Sequence, residues 1–200
     1  MIVGRRWWRS VCTVAAASVA RASRAPLLYP RASVACILAS CGPSPPHTSR
    51  YLLIKRCNPP NAGSWSLPGG KLELGETMLS GAAREMTEEV NLPPHAISMH
   101  PRPISASDAI LPSANAMDGA APQFHYVIAQ FFGWVGDEYL GLVTAGDDAA
   151  AARWFTLDEV RQLDGAMASE ITSLIELSRS MQKAGLLVSP PTTKHEEARL

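Results

Sequence analysis

The sequence has few aromatic residues, no excess of charge of either sign and no long hydrophobic run. Lysine and arginine together number 18, as do aspartate and glutamate, so the formal net charge of +0 gives no reason to expect a nucleic-acid partner. No apolar run reaches the roughly 20 residues that a transmembrane helix needs, so we expect no membrane partner either. Hydrophobic residues make up 46% of the 200 residues, which is enough for the core of one domain.

Cysteine is sparse, and its spacing forms no metal-binding or disulfide pattern. The four cysteines are Cys12, Cys36, Cys41 and Cys57, and no two of them form a C-x-x-C pair. His47 is the only histidine near them. A zinc site and a disulfide framework are therefore not indicated, and we interpret the cysteines as ordinary thiols.

Acidic residues are absent before Glu73, whereas Arg5, Arg6 and Arg9 stand near the start of the chain. A basic, acid-free start is typical of an organelle transit peptide, so we predict a targeting leader over residues 1–26, with the mitochondrion favoured. A secretory signal and an untargeted leader in a cytosolic protein are the alternatives. The last three residues, Ala-Arg-Leu, are similar to a peroxisomal address and conflict with the leader.

The rest of the chain is patterned as a mixture of strands and helices. Strands are expected at residues 31–40, 51–55, 124–135 and 153–155, and helices at 78–90, from Thr156 onward and around 171–184. Thr156 and Glu159 have the spacing of a capping box, and residues 108–122 are expected to form a loop. Because strands and helices do not alternate regularly, we predict an α+β fold, an α/β/α sandwich, for residues 27–184, followed by a flexible tail at 185–200.

The predicted helix at 78–90 carries three glutamates on one face. At about 100° per residue, Glu89 lies near +40° and Glu88 near −60° from Glu85, and the apolar residues of the helix form a separate stripe. Such crowding of like charge destabilises a helix unless a cation relieves it. Carboxylate oxygens are preferred ligands of Mg²⁺, so a metal site is one interpretation and a solvated acidic face is the other.

A glycine-rich loop in front of this helix favours the metal site. Pro68 is followed by Gly69 and Gly70, which allow the backbone to approach a ligand closely and could bring a backbone carbonyl to the metal. Thr77 is the candidate N-cap of the helix. Arg84 precedes Glu88 by one helical turn and can orient it through an ion pair.

The segment from residue 70 to residue 92 resembles the Nudix box, G-x5-E-x7-R-E-U-x-E-E-x-G-U, in which U is a bulky aliphatic residue. The positions in register are Gly70, Glu76, Arg84, Glu85, Met86, Glu88, Glu89 and Leu92. The usual preface of an aromatic residue and Leu-Pro-Gly-Gly begins at Trp65. Asn91 departs from the box, which has glycine there, but asparagine is the next most tolerant residue of the left-handed conformation that ends such a helix.

The resemblance extends from about residue 34 to residue 180 and is to small ADP-ribose-pyrophosphatase-like members. It implies the Nudix fold, in which a mixed sheet lies between helices and the box forms a loop-helix-loop motif. The implied activity is hydrolysis of the diphosphate linkage in a nucleoside diphosphate joined to another group, with ADP-ribose or a related nucleotide sugar or dinucleotide as the best candidate. A pyrophosphatase of modified nucleoside triphosphates and a catalytically silent nucleotide sensor are the alternatives. Many members of this family form dimers, so the resemblance also allows a homodimer.

The resemblance further implies roles for individual residues. Glu85, Glu88 and Glu89 would hold Mg²⁺ or Mn²⁺ together with the carbonyl of Gly69 or Gly70, while water attacks phosphorus in line. Glu88 and Glu89 would thereby also belong to the catalytic set.

Around these ligands, Arg84 and Glu76 would brace the site, and Arg84 is counted with the catalytic set. The general base is either a glutamate of the box or an acid from outside it. Asp148 is the preferred outside candidate, and Asp118 is the second.

Overall fold

The computed structural model describes residues 29–40, 49–59, 61–112, 122–146, 148–163 and 166–189. The predicted leader, Asp118 and the last eleven residues of the predicted tail, 190–200, lie outside these ranges. Within them, no helix is long and apolar enough to cross a membrane.

In these described residues the fold has seven strands and three helices. In chain order they are β1 (Arg31–Ser40), β2 (Arg50–Arg56), β3 (Trp65–Ser66), α1 (Met78–Val90), β4 (Ile97–Met99), β5 (Ser105–Leu111), β6 (Phe124–Val135), β7 (Ala149–Thr156), α2 (Leu157–Arg161) and α3 (Ala166–Lys183). Short 3-10 turns occupy Pro94–Ala96 and Asp137–Leu142. The predicted positions of β1, β6, α1 and α3 are confirmed.

All seven strands belong to one mixed sheet. The strand order is β3-β2-β1-β6-β4, with β5 paired to β6 and β7 paired to β2. β1 and β6 run parallel along the whole of β1, from Arg31 beside Tyr126 to Ser40 beside Val135, and the other pairs are antiparallel. The long parallel contact places β1 at the centre, where both of its faces are covered.

Helices cover both faces of the sheet. Successive side chains of a strand point to opposite faces, so β1 contributes to a core cluster on each side. Val34 and Leu38 of β1 pack with Met86 of α1 in one core cluster. Ile37 of β1 packs with Ile175 of α3 in the other. The predicted α/β/α sandwich is confirmed.

Two predicted boundaries were wrong. Residues 108–111, predicted as part of a loop, belong to β5, and β7 begins at Ala149 rather than at residue 153. β5 contains alanine, serine and aspartate, and β7 begins with four alanines, and these residues have weak strand preference. They become strands because β6 and β2 offer complete ladders to pair with, and long-range pairing overrides local preference.

The start of the predicted tail is held against the domain. The indole Nε1 of Trp134 donates a hydrogen bond of 2.9 Å to the carbonyl of Val188, and Leu187 and Val188 pack against the core on the α3 side. The flexible tail predicted from residue 185 onward thus begins with residues whose apolar side chains cover part of the core.

Both predicted helix caps are confirmed. The Thr77 hydroxyl accepts from the backbone N–H of Ser80, and Thr156 forms a capping box with Glu159. Asn91 ends α1 in the left-handed conformation at φ 57° and ψ 25°. Its backbone N–H donates to the Met86 carbonyl, so asparagine takes over the helix-ending role of the usual glycine.

Candidate active site

The glycine-rich loop is fixed along the edge of β1 by its backbone. The amide of Cys36 donates to the Pro68 carbonyl at 2.8 Å, and the amide of Val34 donates to the Gly70 carbonyl at 2.9 Å. The carbonyl of Gly70 is thus already used. Gly69 is the better of the two predicted carbonyl ligands, because no hydrogen bond to its carbonyl is seen within the part of the chain that the structure describes.

A side chain on either of two glycines in this loop would displace a neighbouring group. A Cβ atom on Gly69 would overlap the Val34 carbonyl oxygen, and one on Gly70 would overlap the carboxylate of Glu85. Gly69 therefore lets the loop lie close to β1. Gly70 leaves the space in which Glu85 reaches the loop.

Glu89 is turned into the site and partly buried. Its Oε2 accepts a hydrogen bond of 2.7 Å from the Gly69 amide. Burial raises the pKa of Glu89 to about 7; the negative charges of Glu85 and Asp148 act in the same direction, while the Gly69 amide and Arg56 oppose it. A carboxyl group in this state changes its charge near neutral pH.

Arg84 links three glutamates. Its guanidinium donates two hydrogen bonds to Glu76, of 2.8 and 3.2 Å. It also donates to Glu85 Oε1 at 3.0 Å and to Glu88 Oε2 at 2.8 Å. The hydrogen bond from Arg84 holds the pKa of Glu76 below its usual range, whereas burial raises the pKa of Glu85 against the effect of Arg84.

A single cavity of about 1000 Å³ collects most of the predicted site. Its lining includes Gly69, Gly70, Arg84, Glu85, Glu88, Glu89 and Asp148. Four of the acids in this lining, Glu85, Glu88, Glu89 and Asp148, are together with the Gly69 carbonyl called the acidic end below. Glu76 is not among the lining residues and pairs with Arg84, which is one of them, and this agrees with a bracing position.

Asp148 is brought to the acidic end by contacts with two elements. Its Oδ1 accepts from the Asn58 side chain at 2.9 Å, and its backbone carbonyl accepts from the Cys57 amide at 3.2 Å. The loop before it is attached to the end of α1, where the Gly146 amide donates to the Glu89 carbonyl at 2.8 Å. A Cβ atom on Gly146 would overlap the Glu88 carbonyl oxygen, so glycine permits this close approach.

The donor set of the acidic end suits a hard divalent cation in type and charge. It offers carboxylate oxygens and one glycine carbonyl, the ligands that Mg²⁺ and Mn²⁺ prefer. Among the described residues, however, no three such side chains converge on one point. The reason is visible, because Glu85 and Glu88 are both directed at Arg84. The Glu88 side chain is 57% exposed and has room to turn toward a cation.

The sequence did not indicate a second part of the cavity lining, which is formed by strands. Phe124, Tyr126 and Gln130 of β6 line it together with residues of β5. Their alternation along a predicted strand placed them on one face, but only the pairing of β6 with β1 and β5 decides which face meets the cavity.

Comparison with known proteins agrees with this arrangement. A family model described as NUDIX domain matches residues 30–176. An ADP-ribose pyrophosphatase of Methanocaldococcus jannaschii is 33% identical over 115 residues, which span 58% of this chain and 59% of that protein. The match thus covers about three fifths of the relative's length. A putative 8-oxo-dGTP diphosphatase 2 of Mycobacterium tuberculosis is 50% identical over only 42 residues, 20% of this chain and 30% of that protein.

Solved structures show the same fold at low sequence identity. A C. elegans Ap4A hydrolase has a TM-score of 0.57 at 15% identity and covers 77% of this chain and 98% of its own. The NUDIX domain of Shewanella oneidensis NrtR, crystallised with ADP ribose, has a TM-score of 0.56 at 19% identity, covering 80% and 95%. At these identities the likeness concerns the fold alone.

Proposed function

The chain belongs to the NUDIX domain family, and we propose that it is a divalent-metal-dependent hydrolase of the diphosphate linkage in a nucleoside diphosphate joined to another group. The observation that carries this proposal is the gathering of Glu85, Glu88 and Glu89 in one cavity beside Gly69, with Arg84 bracing them. Burial and mutual repulsion leave this cluster short of positive charge, which a bound cation would supply.

Glu85, Glu88, Glu89 and the Gly69 carbonyl are the residues proposed to hold Mg²⁺ or Mn²⁺. When bound, the cation neutralises phosphate charge and polarises the phosphoryl oxygens. Arg84 holds Glu85 and Glu88 through hydrogen bonds and is itself held by Glu76, so both carboxylates stay near the site that the cation would occupy.

Asp148 is the proposed general base. Its Oδ1 accepts from Asn58, so Oδ2 is the atom that would take the proton of the attacking water. Attack at phosphorus and departure of the second phosphate give a nucleoside monophosphate and a phosphorylated partner. Glu89 of the box is the alternative base, because it lines the same cavity.

ADP-ribose or a related nucleotide sugar or dinucleotide is the proposed substrate class. The longer of the two sequence matches described, which spans 58% of the chain, is to an ADP-ribose pyrophosphatase, and the cavity is large enough for a nucleotide. The second candidate, hydrolysis of modified nucleoside triphosphates, is favoured by the match to an 8-oxo-dGTP diphosphatase, but that match covers only 20% of the chain. A silent sensor is disfavoured because Arg84, Glu85, Glu88 and Glu89 are all retained.

A substrate panel tests the proposal. The full chain is incubated with ADP-ribose, dinucleoside polyphosphates and nucleoside triphosphates, with Mg²⁺, Mn²⁺ or chelator, and products are identified by chromatography and ³¹P NMR. We expect AMP and ribose 5-phosphate from ADP-ribose, and no turnover in chelator. Preferred release of pyrophosphate from triphosphates would support the second candidate, and turnover in chelator would contradict the metal-dependent mechanism.

A further inference from the structure

Another part of the cavity lining is a wall of two paired strands. Six residues of one face line it: Ala109 and Leu111 of β5, and Phe124, Tyr126, Ile128 and Gln130 of β6. They share a face because side chains alternate along each strand and the pairing sets Leu111 beside Phe124 and Ala109 beside Tyr126. These six residues are called the β5–β6 wall, and none of them carries a formal charge.

Gln130 is the unusual member of this wall. It is only 2% exposed, and its Nε2 donates a hydrogen bond of 2.6 Å to the Ser107 hydroxyl, while its Oε1 has no partner. Exchanging the amide oxygen and nitrogen would let Ser107 donate instead, and the nitrogen would then lack a partner. Either way one polar atom remains unsatisfied. Because such burial costs stability, a group that completes the pairing when a ligand is bound explains why the amide is there.

Two aromatic rings lie further along the same strand. The ring centroids of Phe124 and Tyr126 are 5.3 Å apart, and the planes are inclined by 53°. Both side chains are half-buried, so part of each ring is open to the cavity that they line. The opposite face of the hairpin is different: Val127 and Ile110 are 44% and 56% exposed and do not line the cavity.

We propose that the β5–β6 wall binds the nucleobase of the substrate, with its face against the rings of Phe124 and Tyr126 and a polar edge hydrogen-bonded to Gln130. A nucleobase is planar, apolar on its faces and polar on its edge, and it matches uncharged rings beside an amide that has one unpaired polar atom. The phosphates belong at the acidic end of the same cavity. This inference rests on the proposed function, since it assigns the nucleoside half of that substrate.

The test separates the base from the sugar and phosphate. Binding of AMP and of ribose 5-phosphate to the full chain is measured by calorimetry in chelator, where no turnover is expected. We expect AMP to bind at least roughly tenfold more tightly than ribose 5-phosphate, because stacking of a base on an aromatic side chain increases affinity by that factor. Tyr126→Ala should remove most of this difference. Val127→Ala, on the opposite face of the same strand, should leave it unchanged.

Gln130→Leu distinguishes recognition from a structural role. Because leucine fills a similar volume without an unpaired polar atom, the melting temperature should stay the same or rise while the preference for AMP falls. A lower melting temperature with an unchanged preference would instead assign Gln130 to the fold. Equal affinities of the wild-type chain for AMP and ribose 5-phosphate would overturn the inference.

The outcomes also separate this inference from the proposed function. Turnover of nucleotides together with base-independent binding would refute the base site alone. Base-dependent binding of AMP by a chain that hydrolyses no member of the substrate panel would refute the proposed function alone.

Discussion

Most groups at the acidic end of the cavity come from one continuous segment, residues 68–92. The β5–β6 wall instead comes from two paired strands that are separated in sequence by residues 112–123. At the acidic end, charge decides the behaviour, and the groups are held by hydrogen bonds to Arg84 and to the loop backbone. The wall offers apolar surface and one amide. Substitutions at the acidic end should therefore change the rate of the chemical step, and substitutions in the wall should change affinity.

The largest expected effect is at the acidic end. Glu88→Gln and Glu89→Gln each keep the size of the side chain but remove a charge that the proposed metal site requires, so kcat should fall by several orders of magnitude. Steady-state kinetics with ADP-ribose and Mg²⁺ would measure this, with circular dichroism to confirm the fold. Asp158→Asn is the matched control, because Asp158 is an exposed acid of α2 outside the cavity. Unchanged turnover in both glutamate variants would remove the metal assignment.

A second substitution changes the acidic end by steric displacement and not by removing a charge. Gly70→Ala places a methyl group where the Glu85 carboxylate lies, so Glu85 must move away from the loop. Because the side chain is displaced and not removed, activity should fall about 10- to 100-fold, as for other groups that orient a metal ligand. Gly141→Ala serves as control, since a Cβ atom there meets nothing within 4 Å. Equal kinetics for the two variants would mean that the position of Glu85 is unimportant.

The same contrast explains what could be predicted from the sequence. The limits of α1, its cap at Thr77 and the left-handed Asn91 follow from residues within one or two turns of each other, and the structure confirms them. β5 was missed because its residues have little strand preference of their own and become a strand only beside β6. The position of Gln130 at the cavity likewise depends on register across the sheet, which no local pattern encodes.

Stability should depend on pH through Glu89. Its pKa is about 7 in the folded chain against 4.5 for an ordinary glutamate, so the folded state binds more protons between these values. The free energy of unfolding in chelator should therefore decrease as pH rises from about 4.5 to 7 and change little from this group above 7. Thermal unfolding across this range would show the slope, and Glu89→Gln should flatten it.

Binding of Mg²⁺ should also depend on pH through Glu89. Because Mg²⁺ requires ionised carboxylates, it should raise the melting temperature more at pH 8 than at pH 5.5. An equal rise at both values would place the cation away from Glu89. The wall provides the internal comparison, since Gln130→Leu removes no titrating group and should leave the pH slope as it is.

The smallest expected effect concerns the loop that brings Asp148 to the acidic end. The Asn91 side chain donates a hydrogen bond of 2.8 Å to the Thr144 hydroxyl, a contact that glycine at this position could not make. Thr144→Val should therefore cost about 0.5–1.5 kcal/mol, whereas Thr144→Ser keeps the hydroxyl and should cost less.

Asn91→Gly restores the residue that the Nudix box has at this position and tolerates the left-handed conformation, so its cost isolates the side-chain contact. A double-mutant cycle of Asn91→Gly with Thr144→Val should show a coupling of about 0.5–1 kcal/mol, since the second change removes a bond already lost. If the contact also steadies Asp148, kcat should fall in each single variant while KM is kept, because the loop touches the acidic end and not the wall. Full additivity of the two costs would show that the Asn91 side chain does not hold the loop, which would then be attached to α1 by the backbone hydrogen bonds from Thr144 to Val90 and from Gly146 to Glu89.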